Sequence, residues 1–329
     1  MRRLLSVCLL MLVFPLGFVC AEIHLALEPR LGMMVGTVGE YVLLHERGGG
    51  HRKYSQLDWE ERFLPTVGVA ASGTFGRLSV EASVDRTVSP SFPWFRSVAS
   101  GTMRDSDWLV AGTKTNYSKS ENDVSLNVQA GLVVSYEFAP TDFLRFVPFA
   151  EISYSYKSFE ARNGYGWYGD KVPGGPVAWD DPRATFYPVG SLCGVDYTCH
   201  LLSLFTGLNV RFRCSERVSV QVGIAVLPYG YVYAEDIHYS NLKGTDGTYY
   251  VDIVHSFLSR CKGSLAVAFR VNRLVELGAT VTGLVGGMDS GDTYIKAGTG
   301  GSYTKSASTR GGFSIREATV RLSAKVFVF

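Results

Sequence analysis

The chain has 329 residues, of which 46% are hydrophobic and 13% aromatic, and its formal net charge at pH 7 is +2. The near balance of basic and acidic residues gives no whole-protein argument for nucleic acid as a partner. Beyond the N-terminus, no stretch reaches the roughly 18 consecutive apolar residues expected of a transmembrane helix.

The N-terminus has the form of a secretory signal. A charged start, Met1–Arg3, precedes a run over residues 4–18 that is apolar except for one serine. We therefore expect a signal peptide over residues 1–21 and a single domain over residues 22–329. Acylation at Cys20 is a weaker alternative, because bulky apolar residues stand immediately before this cysteine.

The segment Val124–Phe138 is the clearest of several repeated patterns, since apolar residues occupy every second position. Side chains alternate between the two faces of a strand, so this segment has one apolar face and one mostly polar face. A tilted strand of about 9–11 residues crosses a bilayer, and a closed barrel leaves no unpaired strand edge in lipid. Ten strands are predicted, near residues 31–45, 54–71, 75–86, 124–138, 143–158, 201–214, 217–230, 250–271, 274–287 and 313–329.

The connections between these strands alternate in length. Tight turns are predicted at residues 72–74, 139–142, 215–216 and 272–273, and longer loops at residues 46–53, 87–123, 159–200, 231–249 and 288–312. Even-stranded barrels with both termini in the periplasm place the short turns there and the long loops outside. The predicted fold is therefore all-β: a transmembrane antiparallel β-barrel of ten strands in a bacterial outer membrane, with long extracellular loops and short periplasmic turns.

Charged residues on the predicted strands indicate which faces line the barrel interior. Arg260 and Lys262 fall on the inward phase of the eighth predicted strand, as a water-filled lumen permits. Glu61 interrupts the apolar phase of the second strand, which we expect to face outward.

Four cysteines follow the predicted signal peptide, and their spacing matches no metal or haem pattern. Cys193 and Cys199 could pair within one loop in an oxidising compartment, and the sequence leaves this open. Cys214 and Cys261 fall on the lipid-facing phase of their strands, where we expect them to act as small apolar residues.

Two short acidic motifs lie in the predicted loops. Asp105 and Asp107 belong to the second long loop, and Asp236 and His238 to the fourth. Residues spaced i, i+2 on an extended backbone project from the same face. The two loops leave a ten-stranded barrel on roughly opposite sides, so we expect the two pairs to face each other across its mouth.

This arrangement suits peptide hydrolysis by an activated water molecule. His238 would be the general base, oriented by Asp236. Asp105 and Asp107 would share a proton, as close carboxyl groups of like charge do, and would hold the water or stabilise the developing oxyanion. On spacing alone, however, an acidic motif in a surface loop is more often a solvated turn.

Four separated segments resemble motifs of one family. Lys53–Trp59 reads K-Y-S-Q-L-D-W, Met103–Trp108 reads M-R-D-S-D-W, and Asp236–Tyr239 reads D-I-H-Y. The run from Ser158 to Arg162 reads S-F-E-A-R. In this order the segments resemble the omptins, outer-membrane aspartyl-type endoproteases built on ten-stranded barrels.

The resemblance implies a site, substrates and a location. It implies peptide or protein substrates with Arg or Lys at the cleaved bond, no metal or other cofactor, and an active site that faces the cell exterior. It also raises a requirement for lipopolysaccharide or another lipid of the outer leaflet. The residues implied as catalytic are Asp105, Asp107, Asp236 and His238, and those implied as substrate-binding are Glu40, at the base of a pocket for a basic side chain, and Met103, beside a neighbouring subsite.

The chain also departs from the family pattern. Omptins often carry a second acid two positions before the aspartate of the D-x-H motif, where this chain has Ala234. Family arginines that contact lipid A align with Tyr156 and His200, which puts a lipopolysaccharide requirement in question. The long third loop, residues 159–199, has no clear family counterpart. Two alternatives therefore stay open: a non-enzymatic barrel that serves as an adhesin or receptor, and a small channel.

Overall fold

A computed structural model describes residues 23–88 and 100–328. The predicted signal peptide, the alternative acylation at Cys20 and part of the predicted second loop lie outside the described residues. Within these residues, no helix is long and apolar enough to cross a membrane.

The described residues form fourteen strands and one short 3-10 turn, Gly169–Lys171. The strands are β1 (Ile23–His45), β2 (His51–Phe75), β3 (Leu78–Thr87), β4 (Ser100–Asp107), β5 (Asn116–Tyr136), β6 (Leu144–Tyr168), β7 (Thr185–Leu192), β8 (Val195–Arg213), β9 (Val218–Tyr239), β10 (Gly247–Ser256), β11 (Arg260–Arg270), β12 (Val275–Gly286), β13 (Asp289–Ala297) and β14 (Thr304–Val328).

These strands close into a ring with ten positions. β3 and β4 both pair with β2 and β5, so together they fill one position. β10 with β11, and β12 with β13, fill two more positions in the same way. β1 pairs with β14 over most of its length, which closes the ring, and β7 is a short flap that pairs only with β6. The predicted ten-stranded antiparallel barrel is confirmed.

The predicted short turns lie together at one end of the barrel, but most of the predicted long loops are shortened because the strands continue into them. The turns after β2, β5, β8 and β11 are short, and they lie at the end where Leu25 of β1 pairs with Val328 of β14. The connections at the opposite end include residues 169–194, from which β7 folds back along the end of β6.

Exposed apolar side chains form a band around the end with the short turns. On β11, for example, Leu265, Val267 and Phe269 all point outward. Among the described residues, no large hydrophobic side chain is exposed on β4, β10 or β13. These strands and the adjacent ends of β2, β5 and β9 therefore stand above the membrane-spanning band.

The strands extend further beyond this band than the sequence predicts. Much of the predicted second and fourth loops is strand, because β4 and β5 include residues 100–107 and 116–123, and β9 continues to Tyr239. The expectation that the two acidic motifs lie in loops is therefore wrong. Outside lipid both faces of a strand can be polar, so the alternation that marks a strand disappears although its backbone pairing continues.

The prediction that Glu61 lies on the outward phase of β2 is also wrong. The register between β1 and β2 shifts here, since Gly36 pairs with Glu61 but Met34 pairs with Leu64. Phe63 within this bulge has a φ of 46°. The one extra residue on β2 exchanges the two faces of the strand, and Glu61 points into the barrel, where it is 1% exposed.

A packed apolar layer crosses the interior between the mouth and the lower lumen. It includes Val38, Trp59, Phe159, Tyr197 and Phe313, all of them buried. Trp59 and Tyr197 stack with ring centroids 5.4 Å apart. We call this layer the floor.

Charged groups lie below the floor. Lys157 is buried with Glu61 at 2.8 Å and Glu317 at 2.9 Å. Lower still, Lys262 contacts Glu151 inside the barrel, in agreement with its predicted inward phase. The lower lumen is thus polar, as expected.

Candidate active site

The first half of the site lies on β9. Asp236 and His238 both point into the mouth of the barrel, where the Nε2 atom of His238 lies 2.7 Å from Oδ2 of Asp236. Asp236 is only 5% exposed, whereas His238 reaches the opening. The ring of Tyr250 on β10 meets the imidazole edge-on at 5.4 Å. The Asp236 contact occupies Nε2, so Nδ1 is the ring nitrogen left to accept a proton.

The second half of the site lies on β4, between β2 and β5. Asp105 and Asp107 are on its inward face, and the amide of Asn116 donates a hydrogen bond of 3.1 Å to Oδ2 of Asp107. The hydroxyl of Ser55 on β2 donates to Oδ1 of Asp105 at 3.4 Å. Backbone pairing of β4 with β2 on one side and β5 on the other holds these carboxyl groups in place.

The two halves face each other. β4 and β9 occupy the third and seventh positions of the ring. Burial and then the charge of Asp107 raise the pKa of Asp105 to about 8, although His238 opposes the shift. Burial also raises the pKa of Asp107, whereas the hydrogen bond from Asn116 favours its ionised form. At neutral pH this favours a proton on Asp105, while the amide of Asn116 favours negative charge on Asp107.

Glu40 lies beside the His–Asp pair. It is 3% exposed on the inward face of β1, and Nε1 of Trp59 donates to its Oε2 at 3.3 Å. Burial and then the charge of Asp236 raise the pKa of Glu40 well above its ordinary value, and burial raises the pKa of Asp236 as well. A positive charge that enters this region would favour the ionised forms of both groups.

The same groups have the spacing of metal ligands. Ligand atoms of Glu40, Asp236 and His238 all lie within 4.8 Å of one another. A divalent cation could bind there, although it would compete with the hydrogen bond between the imidazole and Asp236.

The family model of the Omptin family matches residues 22–305, which is most of the chain. The chain belongs to the omptin family. The fold agrees, since the crystal structure of the outer membrane protease OmpT from Escherichia coli matches with a TM-score of 0.76 and 19% sequence identity, over 93% of this chain and 97% of that chain.

Other outer-membrane barrels match more weakly. The translocator domain of the autotransporter NalP from Neisseria meningitidis has a TM-score of 0.33 and 10% identity, over 99% of this chain and 95% of that chain. OprG from Pseudomonas aeruginosa has a TM-score of 0.35 and 8% identity, over 94% and 96%. No curated protein matches this omptin in sequence.

The structure brings five of the six predicted site residues of this omptin to the mouth of the barrel. Met103 differs, because it is 3% exposed and packs in the floor below Asp105. Sequence reasoning assigned no role to Ser55, Asn116, Tyr250 or Asp252. All four face inward above the membrane, and only Asn116 lies outside the predicted strands.

Two of the positions that depart from the family pattern, Tyr156 and His200, lie on the outer face. The hydroxyl of Tyr154 is 2.8 Å from Nδ1 of His200, and the ring of Tyr156 contacts the same imidazole. Glu235 also points outward and accepts a hydrogen bond from Tyr233. Neither Tyr156 nor His200 therefore contributes to the mouth.

The four cysteines after the predicted signal peptide are free thiols. Cys199 is buried on the inward face of β8, so the pairing with Cys193 that the sequence left open is not formed. Cys214 and Cys261 are exposed, in agreement with their predicted lipid-facing phase.

Proposed function

We propose that this omptin is an endopeptidase of the bacterial outer membrane whose active site opens to the cell exterior. The observation that carries the proposal is the 2.7 Å contact between His238 and Asp236, on the wall opposite the paired carboxyl groups of Asp105 and Asp107. A base and an acid held on opposite walls can act on a water molecule and a peptide carbonyl between them.

In the proposed reaction, the water oxygen attacks the carbonyl carbon of the scissile bond. His238 accepts a proton from the water, and Asp236 stabilises the imidazolium. The protonated carboxyl of Asp105 donates a hydrogen bond to the developing oxyanion, while Asp107 orients the water. The imidazolium then returns its proton to the leaving amine as the carbon–nitrogen bond breaks.

We further propose that the substrates carry Arg or Lys at the cleaved bond. The buried carboxyl of Glu40 supports this specificity, because it lies beside the reacting groups and needs a positive partner to ionise. Met103 would act from below, by packing against the wall of an adjacent subsite. A bound cation would favour the ionised form of Asp236, so substrate binding would also help prepare the base.

A lipid of the outer leaflet would contact the outer face near Tyr154, Tyr156 and His200. These side chains offer aromatic rings and hydrogen-bonding groups instead of guanidinium groups. We therefore expect lipopolysaccharide to matter less to this protein than the family pattern implies. Comparing activity in vesicles with and without lipopolysaccharide tests this expectation.

The decisive assay uses refolded protein and fluorogenic peptides that contain two adjacent basic residues. The proposal predicts cleavage beside a basic residue by the wild type, and severe loss of cleavage in Asp105→Asn and His238→Ala. Absence of cleavage by correctly folded wild type, or unchanged cleavage by both variants, rejects it.

One observation favours a second candidate, a surface receptor or adhesin. In the third external connection the ring of Trp167 contacts those of both Trp179 and Phe186, and Phe186 and Val189 are 51% and 69% exposed. Binding of a host ligand that survives His238→Ala and is lost on Phe186→Ala would favour this function. A channel is less consistent with the apolar floor, and planar-bilayer conductance would test it.

A further inference from the structure

Position 234 on β9 carries an alanine, where the family pattern has an acidic residue. Ala234 lies two residues before Asp236 on the same inward face, so no carboxyl group projects from β9 at this level. On the neighbouring strand β10, however, Asp252 pairs directly with Ala234. Asp252 also faces inward, between Tyr250 and Val254 on the same face of its strand.

The structure holds the Asp252 carboxyl group in a defined place. Thr293 on β13 donates a hydrogen bond of 2.6 Å to its Oδ1. The carboxyl group lies directly over Gly311 of β14. A Cβ atom added to this glycine would lie only 2.1 Å from Cγ of Asp252. Asp252 therefore reaches across β13 towards β14, the strand that pairs with β1 and with Glu40.

Glu40, Asp236 and Asp252 form a buried group in which, among the described residues, only Asp236 has a basic partner, the imidazole of His238. They are 3%, 5% and 9% exposed. Among the described residues, no Lys or Arg lies within ion-pair distance of any of the three. The negative charge of Asp252 acts on both Glu40 and Asp236, which shows that the three share one region.

An unsatisfied atom within this group points to a ligand. Oδ1 of Asp236 is buried and meets no hydrogen-bond donor among the described residues. Buried carboxyl groups without a cation are costly, and burial raises the pKa of Asp252 to about 6. A ligand that brings its own positive charge and N–H donors would satisfy all three acids.

We propose that Asp252 supplies, from β10, the second carboxylate of the pocket for a basic substrate side chain, in place of the acid that Ala234 cannot provide. The inference rests on the proposed peptidase function. Glu40 and Asp252 approach from different strands, so a guanidinium or ammonium group would lie between them. Asp252 thereby determines specificity, while the reacting groups stay on β4 and β9.

Asp252→Asn is the direct test, because the amide oxygen can still accept the hydrogen bond from Thr293 while the charge is lost. Three peptides that differ only in the residue before the cleaved bond are compared: arginine, lysine and citrulline, the neutral analogue of arginine. The variant should lose kcat/KM for arginine and lysine by on the order of 30-fold, mainly through KM. Slow cleavage of the citrulline peptide should not change.

Two further variants sharpen the test. Ala234→Asp in the Asp252→Asn background returns an acid from the adjacent strand and should restore the preference for arginine over citrulline. Glu235→Gln removes an acid from the outer face and should leave all three rates unchanged. Equal losses for arginine and citrulline peptides, or an unaltered preference in Asp252→Asn, would overturn the proposal.

Agmatine separates failure of this inference from failure of the peptidase function. It carries a guanidinium group but no peptide bond, so calorimetric titration reports on the pocket alone. If the wild type cleaves no peptide, the peptidase proposal fails, yet agmatine binding that is lost in Asp252→Asn still supports the acidic pocket. Equal binding to wild type and Asp252→Asn, or none to either, rejects the role of Asp252.

Discussion

The imidazole of His238 and the carboxylate of Asp236 project from the same face of β9, two residues apart, with Nε2 and Oδ2 separated by 2.7 Å. Backbone pairing of β9 with β8 and β10 keeps this geometry without support from a loop. The orientation of the base is therefore a property of the strand.

Asp236→Asn tests the contribution of this contact. The substitution keeps the size of the side chain but removes the charge that stabilises the imidazolium. We expect kcat/KM for a dibasic peptide to fall by about a hundredfold or more, with little change in folding. Glu235→Gln, one residue away on the outer face, is the matched control. Wild-type activity in Asp236→Asn would show that another group orients the base.

The proton on Asp105 predicts an alkaline limit to activity. Its pKa is raised to about 8, so the protonated form dominates below that pH and is lost above it. We expect kcat/KM to fall as the pH rises through about 8, since the hydrogen-bond donor for the oxyanion disappears. Rate profiles between neutral pH and pH 10 provide the measurement.

Asp105→Asn carries an amide that cannot titrate in this range. Its residual activity should therefore lack the decline near pH 8. An identical alkaline limb in this variant would assign the decline to a different group.

The sequence predicts the membrane-embedded part of this barrel well, because lipid demands apolar side chains on every second residue. Leu126–Phe138 shows this alternation and β5 covers most of it, whereas Val124 lies beyond a register shift and is buried in the floor. Above the membrane that demand ends. Asn116 and Ser118 face inward and Tyr117 outward on β5, yet no apolar period marks this stretch as a strand.

The sequence likewise predicts some residues of the candidate site and not others. The i, i+2 spacing is enough to place Asp105 with Asp107 and Asp236 with His238 on common faces. Asp252 could not be found in this way, because its position depends on the register between β9 and β10. An interruption of the strand at residues 257–259, between β10 and β11, determines that register.

Chelation tests whether the group of Glu40, Asp236 and His238 holds a metal during the reaction. In the proposed mechanism, solvent water is the nucleophile and Asp236 occupies Nε2 of the imidazole. We therefore expect prolonged dialysis against EDTA to leave kcat/KM unchanged, while a zinc peptidase treated in parallel loses activity. Loss of activity that returns on addition of zinc would replace this mechanism with a metal-dependent one.

Among the described residues, Lys157 is the single basic partner of two buried carboxylates below the floor, with Nζ 2.8 Å from Glu61 and 2.9 Å from Glu317. Lys157→Met keeps an unbranched side chain but leaves both acids without their cation. Breaking a buried ion pair from one side costs about 3–5 kcal/mol, so the free energy of unfolding should fall by that amount. Urea unfolding of the barrel in detergent micelles provides the measurement.

The triple variant Glu61→Gln, Lys157→Met, Glu317→Gln removes all three charges together and should recover much of the loss. If the single and triple variants are equally unstable, the defect lies in packing around Lys157, and the charges do not account for it.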